Sequence, residues 1–152
     1  MRYFLLFSVL VVGCGGNESK KTSESSGKLS AIGADDKEEK YKASVIAFIE
    51  EAKSILKSMD QSVDKAAYDK RCKALEVQLT RMPAPSSGFA PRESWTKSNK
   101  AILANLNRAG TLSSESDRNQ LGELKSALSV LLDHYETKVR SSQSYVLPTL
   151  TK

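Results

Sequence analysis

The chain is poor in the residues that build metal and redox centres: its 152 residues include one histidine and two cysteines. A di-iron bundle needs Glu-x-x-His pairs on facing helices. Here Leu131 stands three places before His134, which excludes that centre. Covalent haem needs Cys-x-x-Cys-His, and no such run occurs. A non-covalent haem between His134 and Met59 or Met82 competes with ordinary packing, and both methionines close apolar stripes where packing explains them. Aromatic residues make up only 7%, too few for a large aromatic platform. No useful length alternates with period two, so strands are not expected. The run Asp117-Arg118-Asn119-Gln120-Leu121-Gly122 begins like a calcium loop, but Leu121 and Leu128 occupy positions that need oxygen ligands. The Ser-x-x-Lys pattern of penicillin-binding enzymes occurs at Ser54 and Ser62 and again at Ser25, as expected of chance, and the accompanying motifs are missing. The expectation is therefore a non-enzyme with no cofactor and no catalytic or metal residues.

What is present starts at the amino terminus. Met1-Arg2 is followed by an apolar run over residues 3–12, which ends in Val11-Val12-Gly13-Cys14. A positive start, an apolar core and small residues before a cut are the parts of an export signal. A transmembrane anchor would need about 20 apolar residues, whereas this run gives way to Gly15-Gly16-Asn17-Glu18. The segment resembles the signal peptide and lipobox of bacterial lipoproteins, with Val11 in place of the commoner leucine. The resemblance implies cleavage between Gly13 and Cys14, a diacylglycerol thioether and fatty acid such as palmitate on Cys14, and a mature chain tethered to a membrane. It covers the signal only. Gly15 after the cysteine, rather than aspartate, resembles the class sorted to the outer membrane facing the periplasm in a Gram-negative host.

Residues 15–34 are Gly, Ser, Thr, Lys, Glu and Asn with Leu29 and Ile32 as the main apolar groups, too few to offset the entropy of ordering. They read as a flexible tether. The sequon Asn17-Glu18-Ser19 is taken as coincidence. Organisation is thus a signal over 1–13, a tether over 14–34 carrying lipidated Cys14, one helical domain over 35–142, and an apolar tail over 143–152.

Helical periodicity dominates the domain. After Asp35-Asp36, an acidic start suited to the helix dipole, the residues Tyr41, Val45, Phe48, Ile49, Ala52, Leu56 and Met59 form one stripe. Val63, Tyr68, Cys72, Leu75, Leu79 and Met82 form a second, capped by Asp60 or Ser62 and ended by Pro83-Ala84-Pro85. A third helix opens near Pro91, carries Trp95, Ile102, Leu103 and Leu106, and stops at Gly110 as a C-terminal cap. The fourth follows a capping box at Ser114-Glu115-Ser116-Asp117, with the seam Leu121, Leu124, Leu128, Leu131, Tyr135 and Val139. Such stripes predict an all-α antiparallel four-helix bundle. The alternative is a three-helix bundle in which the first two helices are continuous. The tail containing Tyr145-Val146-Leu147-Pro148 is too apolar to be wholly solvated and is expected to lie across the bundle.

Two features carry functional expectations inside the domain. Cys72, between Tyr68 and Leu75 on one face, reads as a buried small hydrophobe rather than a reactive thiol. The net charge is +5, one unit of it on Arg2. Lys65, Lys70, Arg71, Lys73, Arg81, Arg92 and Lys97 outnumber their acidic neighbours and form a candidate basic binding face. For an exported chain the partners would be the membrane, another envelope protein or an anionic wall polymer, and not nucleic acid. Trp95 beside Phe89 is core by default, or the wall of a shallow cleft. The expected function is a lipid-anchored envelope protein with a helical interaction module. The alternative is a bundle that binds a small ligand or cofactor in its interior.

Overall fold

The structure, a computed structural model, describes residues 28–59, 64–112, 117–148 and 150. It is all-α: helices α1 (Lys28–Ser58), α2 (Lys65–Thr80), α3 (Arg92–Thr111) and α4 (Arg118–Arg140) pack together. Helix α1 touches the other three, and α2 and α4 lie on opposite flanks of the α1–α3 pair. Cross-links fix the directions. Tyr68 of α2 reaches Leu106 of α3 while Lys65 reaches Gly110, so these helices run antiparallel. Lys53 and Glu50 of α1 meet Glu136 and Arg140 of α4 in the same reversed sense.

The core comprises the predicted stripe positions of α1 from Tyr41 to Leu56, with Ile55 added, together with Tyr68, Cys72, Leu75, Trp95, Ile102 and Leu106. In α4 the buried line is Leu124, Leu128, Leu132, Tyr135 and Val139, so Leu132 takes the place the seam assigned to Leu131. Leu121 and Leu131 are only half-buried. The cause is the period: a straight helix turns through about 3.6 residues, and two successive steps of four follow the core more closely here than a strict four-three alternation.

Helix ends depart from expectation more than helix faces do. Helix α1 begins at Lys28, so residues 28–34 of the expected tether are helical and Asp35-Asp36 does not form the first turn. Leu29, Ala31 and Ala34 have high helix propensity and no proline interrupts them; the Asp36–Lys40 pair, 2.7 Å apart, adds support one turn on. Residues 14–27 of the tether lie outside the described residues.

The first two helices are separate. Asp64, with φ −52° and ψ 128°, leaves the helical region and its carboxylate accepts the Ala66 N–H, so Asp64 is the cap. Asp60, Ser62 and Val63 lie outside the described residues. Pro91 precedes α3 as its cap residue rather than occupying the first helical position. Ser114, Glu115 and Ser116 lie outside the described residues, while Asp117 makes no capping side-chain bond.

Gly110 lies within α3 rather than after it. A Cβ at Gly110 would sit 2.6 Å from Cε1 of Tyr68. The tyrosine cannot yield easily, because its hydroxyl donates to the Leu106 carbonyl at 2.7 Å and its ring is buried. Close approach, and not a left-handed cap, therefore explains the glycine. Gly110→Ala should lower stability by about 1–3 kcal/mol through overpacking. Thermal melts check this, and an unchanged melting temperature would remove Tyr68 from the role.

One ion-pair network ties α1 to α4. Lys53 Nζ lies 2.6 Å from Glu136, which also pairs with Arg140, and Lys53 contacts Asp133 as well. The hydrogen bond from Lys53, then that from Arg140, hold the Glu136 carboxyl below its usual range against the opposing effect of burial. A group with a depressed folded value adds stability above the ordinary glutamate value of about 4.3 and loses that contribution as the pH falls through its folded value. Acid titration of the melting temperature should consequently fall less steeply in Glu136→Gln than in the wild type.

After α4 the chain turns at Ser142, whose φ of 54° is left-handed. The Ser142 N–H donates to Val139 and the Gln143 N–H to Lys138, the paired bonds of a Schellman ending. The tail then returns along α3: Leu147 is buried, Tyr145 and Leu150 are half-buried, and Val146 is exposed.

Candidate functional site

The first turn of α3 follows the loop over residues 81–91, because two prolines in Pro83-Ala84-Pro85 end α2 and Pro91 starts the next helix. This geometry puts Arg92, Lys97 and Lys100 around an open cleft of about 710 Å³. Ser87, Gly88, Phe89, Ala90 and Thr96 complete its walls together with one carboxylate, that of Glu93. A smaller neighbour of about 170 Å³ shares Arg92 and Thr96 and is floored by Tyr41, Met82 and Asn99. Lys97 is paired with Glu93 at 2.7 Å, an exposed contact that water screens. The arrangement can attract an anionic group by charge and hydrogen-bond it through the Ser87 hydroxyl, since the Thr96 hydroxyl already donates to the Arg92 carbonyl at 2.8 Å.

The predicted basic residues are divided between α2 and α3. Lys65, Lys70, Lys73 and Arg81 are exposed along and just after α2, and Arg92 and Lys97 are exposed on α3. Two of the seven serve the fold. Arg71 donates to Glu51 Oε1 at 2.9 Å and to Ser54 Oγ at 2.8 Å, binding α2 to α1. Lys65 donates to the Gly110 carbonyl at 2.9 Å, binding α2 to α3. Lys100, two turns into α3, joins Arg92 and Lys97 in the cleft although it was not among the expected residues. The signal available for it was spacing: 97 and 100 are three apart on one helix face.

Trp95 is core. It is fully buried, stacks on Tyr41 with ring centroids 5.9 Å apart, and meets the edge of Phe89 at 5.2 Å. Phe89, not Trp95, lines the cleft. A polar chain continues inward from this cluster: the Tyr135 hydroxyl bonds Asn99 Oδ1 at 3.0 Å and the Trp95 carbonyl at 3.2 Å. Burial raises the Tyr135 phenol far above its ordinary range, so it stays protonated and serves as a structural donor.

Cys72 is buried, as its stripe position implies. Burial raises its thiol above the usual value, opposed in part by a hydrogen bond with Tyr68. A protonated, enclosed thiol is a poor nucleophile. Folded protein should therefore react with an aromatic disulfide reagent far more slowly than urea-unfolded protein at the same pH; equal rates would place the thiol at the surface.

Cys14 lies outside the described residues. His134 is exposed on α4 with its ring 5.0 Å from that of Tyr145. Among the described residues no three His, Cys, Asp or Glu side chains are grouped to hold a metal ion, and no helix is long and apolar enough to cross a membrane. The chain matches no protein-family model, no curated protein and no solved structure.

Proposed function

We propose that this is a lipid-anchored envelope protein, held by Cys14, whose bundle is a non-catalytic interaction module for other envelope proteins or for anionic wall polymer. In a Gram-negative host its place is the outer membrane, facing the periplasm. The anchor is supported by the short apolar segment ending in Val11-Val12-Gly13-Cys14. The observation that carries the interaction role is the filled interior. Phe48, Ile55, Trp95, Leu128 and Tyr135 are all completely buried between the helices. A ligand inside the bundle would have to displace them, which counts against the small-ligand alternative.

Recognition is thereby left to the surface, where Arg92, Lys97 and Lys100 are collected. Cross-linking in intact cells tests the reading. Adducts to another envelope component should form with the wild type and diminish in Arg92→Gln/Lys97→Gln/Lys100→Gln, with membrane attachment unchanged. Identical adduct patterns in both would remove the cleft from the role, and a complete lack of adducts would remove the module itself.

A further inference from the structure

The tail is held to α3 in an unusual way. Trp95 Nε1 donates to the Gln143 carbonyl at 2.8 Å, and Ser94 Oγ accepts the Tyr145 N–H at 3.3 Å. Ser98 Oγ donates to the Tyr145 carbonyl at 2.9 Å and accepts the Leu147 N–H at 3.0 Å. Farther along, Arg108 donates to the Leu150 carbonyl at 2.9 Å. In all five bonds a side chain of α3 meets a main-chain group of the tail.

The pairing at Ser98 is that of strand addition. A carbonyl on one residue and an N–H two residues later are the groups that a parallel strand presents to one residue of its neighbour. A buried hydroxyl supplies both partners here. The alternation agrees: Tyr145 and Leu147 turn inward and Val146, 58% exposed, turns out. Tyr145 stacks on Tyr135 of α4 with centroids 5.7 Å apart, so the groove lies between α3 and α4. The site thus reads backbone by hydrogen bonds and sequence by two side chains, the division of labour of β-strand addition.

We propose that the α3–α4 groove is a receptor for an extended peptide, with residues 143–148 as its resident ligand. The exchangeable partner is a segment of another envelope protein with an aromatic residue and, two places on, an aliphatic one. The proposal rests on the interaction-module reading and gives it a second, specific site. Release of the tail would leave the Trp95 N–H and the Ser98 hydroxyl, both on completely buried residues, aimed into an open groove. Covalent attachment at Ser142 keeps the resident segment at high effective concentration, so a partner must outcompete it.

The probe is a fluorescent peptide with the sequence of residues 143–152, titrated into the full-length Cys14→Ser protein and into the same chain with Tyr145→Ala/Leu147→Ala. The weakened tail should let the peptide bind at least tenfold more tightly than it binds the wild-type tail background. Adding Ser98→Ala should reverse the gain, and a peptide with alanine at the two anchor positions should not bind. Equal affinity for both proteins, or binding to neither while circular dichroism stays helical, would overturn the proposal and leave the cationic cleft untouched.

Hydrogen exchange on the protein with its native tail keeps the question decidable if the variant unfolds. The Tyr145 and Leu147 amides should exchange by local opening, much faster than that of Val139. Exchange of all three at the common global rate would show that the tail never leaves, and the proposal would fall.

Discussion

Trp95→Ala is expected to lower the unfolding free energy by about 3–5 kcal/mol, among the largest effects a single substitution can have here. The ring is completely buried, and its loss opens a cavity between Tyr41 and Phe89, whose ring centroids lie 5.9 and 5.2 Å from its own. It also removes the indole donor to the Gln143 carbonyl. The substitution therefore strikes the core and the tail together. Urea unfolding followed by far-UV circular dichroism measures the sum. Trp95→Phe should recover most of the packing but not the hydrogen bond, leaving a deficit nearer 1–2 kcal/mol. A wild-type midpoint for Trp95→Ala would mean that the aromatic cluster does not close this end of the bundle.

Leu128→Ala should cost about 2–5 kcal/mol, while Val130→Ala, two residues along the same helix, should change stability by no more than about 0.5 kcal/mol. Both remove aliphatic volume. Leu128 is completely buried and Val130 is 68% exposed, so their positions on the helix and not their chemistry set the difference. Equal effects would mean that α4 presents a different face to α1 and α3.

The helical faces were legible in the sequence because burial of apolar side chains enforces the 3.6-residue period over many turns. Val45, Phe48, Ile49 and Ala52 all lie where their spacing puts them. Ends were less legible, since they are decided by one or two local bonds. Asp64 caps α2 although Asp60 and Ser62 offered the same chemistry a few residues earlier. The helical start at Lys28 was not legible, since the stretch has too few apolar residues to predict order and carries Gly33, a poor helix former.

Gly110 illustrates a different limit. A glycine near a helix end suggests a cap, and only the approach of Tyr68 from a helix about 40 residues away reveals steric need. The candidate sites depended on the same long-range placement. A count of basic residues could not separate Arg71, which binds α1, from Arg92, which faces the cleft. Ser94 and Ser98 stand outside the apolar stripe of α3, and their spacing of four acquires meaning only from the tail that lies over them.

Anchorage through Cys14 is the central claim, since it decides where every surface of the bundle operates. Its most direct test is the intact mass and amino-terminal sequence of the protein extracted by detergent from the membranes of its own host. The account predicts a chain that begins at Cys14 and carries diacylglycerol on its thiol, a modification lost in Cys14→Ser. A mature chain that begins elsewhere, or an unmodified thiol at Cys14, would contradict it.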